Sequence, residues 1–108
     1  MIVIEKNEGA KIPYSVSKTK ITFDDDLTIN LAKREQDWPV HIDICHDADN
    51  ELVIGAAAGR SYVAEIDIPA REYAPVEEGE NMEEGGACEP IPLDMSKVTL
   101  TLWAIEEV

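Results

Sequence analysis

The chain has 108 residues, 44% of them apolar, with 23 acidic and nine basic side chains and a formal charge of −14. That length and composition predict one folded domain with one core rather than disorder. The charge argues against phosphate backbones and anionic membrane surfaces, which need the opposite sign, and it favours cations or basic partners.

In chain order, period-two alternation is the main signal. Ile2 and Ile4 alternate with Val3 and Glu5, and Ile21 and Phe23 flank Thr22. Leu27, Ile29 and Leu31 follow, then Val40, Ile42 and Ile44. Tyr62, Ala64, Ile66 and Ile68 form another run, and Val98, Leu100, Leu102 and Ala104 the last. Successive strand residues point to opposite faces, so each run predicts a strand with one apolar face. Asp24–Asp26, Asp47–Asn50 and Gly59–Ser61 supply turn chemistry between the runs. Leu31–Asp37 has room for one helical turn before Trp38-Pro39. Leu52–Ala58 reads as a strand with little side-chain bulk. The prediction is a mostly β fold: an antiparallel β-sandwich or partly open barrel of about six to eight short strands.

Residues 74–96 interrupt this rhythm with three prolines and three glycines, and residues 77–90 carry six glutamates and no base. This stretch is expected to be a long exposed acidic loop, suited to contact with a partner. The opening residues Met1–Ile4 are too short an apolar run for a leader and have no basic residues before them. No stretch approaches the ~20 apolar residues of a membrane span. The expected location is the cytoplasm, or a virion if the chain is of phage origin. Cys45 and Cys88 form no CxxC motif and read as two reduced thiols, with one bridge between them as the alternative.

The densest polar run is His41, Asp43, Cys45, His46, Asp47, Asp49 and Glu51. His41, Asp43 and Cys45 would share a strand face, and with Asp47 and Asp49 they are the candidate metal ligands, since zinc takes N, S and carboxylate O donors. The competing reading is a polar strand face entering an Asx-rich turn. Asp47, Asp49 and Glu51 have the opening spacing of a calcium loop, but Leu52 stands where glycine is needed and Ala58 where glutamate is needed, which excludes an EF-hand. A catalytic pair of His41 and Cys45 would be about 13 Å apart at ~3.3 Å per residue. No nucleophile elbow or phosphate loop is present, and no cofactor is expected. Trp38 and Trp103 are candidates for a carbohydrate platform or a subunit interface, with burial in the core as the plainer alternative for Trp103.

Three functional readings follow. The first is a structural or assembly subunit that forms a homo-oligomer or binds a protein partner, of the type found in phages and mobile elements. It is motivated by the two-sided apolarity of 98–105 and by the lack of a catalytic set. The second is a module that binds a cation, carbohydrate or other small ligand. The third, ranked last, is a metal-dependent enzyme, which requires His41, Asp43 and Cys45 to converge in a concave site.

Overall fold

The computed structural model describes residues 1–57, 59–74 and 89–105. Among the described residues, ten short strands lie in three sheets, with one short helix and no closed barrel. The strands are β1 (Ile2–Glu5), β2 (Tyr14–Ser17), β3 (Lys20–Phe23), β4 (Leu27–Asn30), β5 (Val40–His46), β6 (Leu52–Ile54), β7 (Ser61–Ile68), β8 (Tyr73–Ala74), β9 (Glu89–Pro90) and β10 (Thr99–Leu102). The large sheet has the order β1-β10-β7-β5-β6, and β2-β3-β4 form a second sheet. β8 and β9 pair alone.

The expectation of a wholly antiparallel sheet is corrected. β1 runs parallel to β10, which makes the large sheet mixed. Its remaining pairs are antiparallel. The strand count also exceeds the expected six to eight. β2 is exposed along its whole length, and β8 and β9 have two residues each, so none of the three shows a buried apolar stripe. The predicted loop at 74–96 is narrowed as well: Ala74 ends β8, Glu89 and Pro90 form β9, and Met95–Lys97 make a 3-10 turn. The rest of the acidic stretch, 75–88, lies outside the described residues, as do Cys88 and any bridge to it.

Alternation explains the core. Ile21, Phe23 and Ile29 from the small sheet meet Ile42, Ile44, Ile66, Ile68, Leu100 and Leu102 from the large one in a single buried cluster, with Leu31 and Ile12. The turns follow the acidic signals. Asp24 and Asp25 take positive φ in the β3–β4 hairpin, a conformation that Asp tolerates better than most residues. Asp47 accepts the amides of Asp49 and Glu51, so its carboxylate is committed to the β5–β6 turn.

The helix, α1 (Leu31–Arg34), is one turn long and is capped by Asn30, whose side chain accepts the Ala32 amide. It gives way to an extended Glu35, which is 8% exposed. Arg71 holds this segment. It donates to the Glu35 carbonyl at 2.9 Å and to the Asp37 carboxylate at 3.2 Å, and Tyr73 donates to Asp37. Trp38 is left 61% exposed beyond them.

Candidate functional site

The site lies on the outer face of the large sheet. β5 presents His41 and Asp43 there, and its neighbour β7 presents Asp67 directly opposite His41 and Glu65 directly opposite Asp43. The buried Ile42, Ile44, Ile66 and Ile68 point the other way, which fixes the register. Four polar side chains thus form two adjacent cross-strand pairs on central strands.

His41 is the hub. Its Nδ1 lies 2.6 Å from Asp67 Oδ1, and its Nε2 lies 2.8 Å from Asp43 Oδ1 and 3.4 Å from Glu65 Oε1. Carboxylate oxygens only accept, so both ring nitrogens donate in the imidazolium form. The Asp67 hydrogen bond raises the His41 pKa above its ordinary 6.5, burial partly opposes it, and Asp43 adds to the rise. Trp103 Nε1–H donates to Glu65 Oε2 at 2.6 Å. The Trp103 ring packs against Tyr62 at 5.2 Å, and Lys6 stands over it.

The pH dependence follows in sign. A folded-state pKa above the unfolded value contributes stability that is full below about 6.5 and fades as pH rises through the folded pKa. In EDTA, the wild type should therefore melt above Asp67→Asn in mildly acidic buffer, and the gap should close as pH rises. A gap that widens with pH would contradict the assignment. The His41 imidazole signal in an NMR titration should also move to a lower pKa in Asp67→Asn.

Of the five candidate ligands, the structure brings His41 and Asp43 together, with Glu65 as the third member of the group. Cys45 continues the same strand but is buried, and Gly59 sits against it. Burial, followed by the charges of Asp43 and Glu65, raises its thiol pKa, opposing the thiolate that a metal needs. Asp47 serves its turn, and its carboxylate is held below the ordinary range by the amides of Glu51 and Asp49. Asp47 and Asp49 do not join the group at His41. Glu65 and Asp67 escape sequence reasoning because their relevance depends on β5 and β7 being neighbours. Their alternation with Ile66 and Ile68 is the one signal that marks them as a polar face.

His41 lines two shallow depressions, one of them with Asp67, but the buried Cys45 lines neither and stands outside the group formed by His41, Asp43 and Glu65, so His41, Asp43 and Cys45 do not converge as the enzyme reading requires. Comparison with protein-family models, curated proteins and solved structures finds no match to this chain.

Proposed function

We propose that the protein is a structural or interaction subunit, a small β-sandwich that associates with further copies of itself through the free edge of β1. One observation carries this reading: Ile2, Val3 and Ile4 are 50%, 43% and 46% exposed on the strand that is outermost in the large sheet among the described residues. Three consecutive apolar residues on an open edge are a liability for a monomer and an asset for strand addition. The amide of Ile2 donates to Val98, just before β10, and that of Lys6 to Leu102 at the end of β10. Strand alternation then turns the Val3 and Glu5 backbone groups outward, where a second copy could pair with them.

The apolarity of 98–105 no longer supports this reading. Trp103 is engaged by Tyr62, Lys6 and Glu65, and the Ile105 amide donates to the Ala10 carbonyl. β1 takes its place as the motive. Val3→Lys should reduce a defined oligomer to monomer in sedimentation while leaving the circular dichroism unchanged, because a charge on an edge strand blocks pairing. An oligomer unaffected by Val3→Lys and by Ile4→Lys would refute the edge.

The second reading, a cation-binding module, is favoured by the group at His41, where one imidazole and two carboxylates converge.

A further inference from the structure

Resting on that second reading, we propose that His41 Nε2 and the carboxylates of Asp43 and Glu65 bind a divalent transition ion of the zinc class, with Asp67 as a positioning residue. Their ligand atoms all lie within 4.8 Å of one another. One nitrogen and two carboxylate oxygens make a donor set that zinc accepts, whereas calcium takes six to eight oxygens.

Electrostatics supports a cation here independently of that spacing. Asp43 and Glu65 are directly opposed across two strands, and like charges so placed destabilise a sheet. Among the described residues, no lysine or arginine forms an ion pair with Asp43, Glu65 or Asp67. Three carboxylates therefore share a single imidazolium, which leaves negative charge that a dication would neutralise.

Groups around the ligands aim them. The Asp67 carboxylate on Nδ1 orients the ring so that Nε2 faces Asp43 and Glu65, the carboxylate–histidine arrangement that metal sites use. The Trp103 indole holds Glu65 Oε2, which leaves Oε1 on the His41 side. The ligands sit on paired central strands rather than on loops, which favours a fixed geometry. The His41 side chain is 46% exposed, which leaves a fourth position to water. On binding, the ion displaces the Nε2 proton, which passes to solvent.

The test is calorimetric titration of the EDTA-stripped full chain with zinc chloride and, separately, calcium chloride at neutral pH. The wild type should bind one zinc ion and show no comparable calcium affinity. His41→Gln should weaken zinc binding by at least about tenfold and Asp67→Asn by about 10–100-fold, the usual range for an outer partner, with both variants folded by circular dichroism. Zinc should also raise the wild-type Tm. No zinc binding by the wild type would remove both the site and the cation-binding reading. Zinc binding indifferent to His41→Gln would remove this site alone, and equal binding of calcium would overturn the zinc-class assignment.

Discussion

Phe23→Ala should be the most damaging single substitution in the small sheet, costing about 3–5 kcal/mol. Phe23 is the chain's one phenylalanine and is fully buried. It stands at the end of β3, where the alternation of exposed Lys20, buried Ile21 and buried Phe23 points the ring into the shared core. The sheet β2-β3-β4 contributes only Ile21, Phe23 and Ile29 to the buried core, so one truncation removes a large part of what holds it. Against a total stability of about 5–15 kcal/mol for a typical domain, the loss should lower Tm by more than roughly 10 °C. Phe23→Leu keeps most of the apolar volume and should cost much less. Urea melts of the two variants give the comparison. Equal and small effects would mean that the small sheet does not depend on this contact.

Gly59→Ala should destabilise by about 1–3 kcal/mol, the usual cost of overpacking. A Cβ on Gly59 would lie 2.5 Å from Cys45 Cβ and 2.9 Å from its Sγ. Cys45 cannot easily give way. It sits on β5 at a break in register, where Ile44 pairs with Ala64 but Cys45 pairs with Tyr62, which leaves Val63 as the extra residue of a bulge. The two sites should therefore couple. Cys45→Ala removes the sulfur contact but leaves the Cβ contact, so the double variant should recover part of the Gly59→Ala loss and depart from additivity by about 0.5–1 kcal/mol. Strict additivity in chemical denaturation would show that the close approach is not maintained in solution.

Some of this was readable from the residues alone. The strands at 2–5, 20–23, 40–46, 61–68 and 99–102 follow from their alternation, and the hairpin at Asp24–Asp26 follows from its aspartates. His41 and Asp43 could be placed on one strand face because period two is a local property. Their partners could not be found that way. Glu65 and Asp67 face His41 and Asp43 only because β7 lies beside β5, and strand order is set by packing of the whole chain rather than by any local run. The Trp103–Glu65 hydrogen bond and the parallel pairing of β1 with β10 are hidden for the same reason. β2 is weakly marked because Tyr14 and Val16 stay exposed and place no residue in the buried core. Asp47 and Asp49 resemble calcium ligands in spacing, yet backbone amides claim the Asp47 carboxylate first, a competition common to Asx turns.

The proposed edge-to-edge association is tested most directly by amide hydrogen exchange on β1 at several protein concentrations. At high micromolar concentration the Val3 and Glu5 amides should exchange slowly, and on dilution they should become fast. The Lys6 amide, bonded to Leu102, should stay slow throughout. Rapid exchange of Val3 and Glu5 at every concentration would contradict pairing of this edge with a second copy.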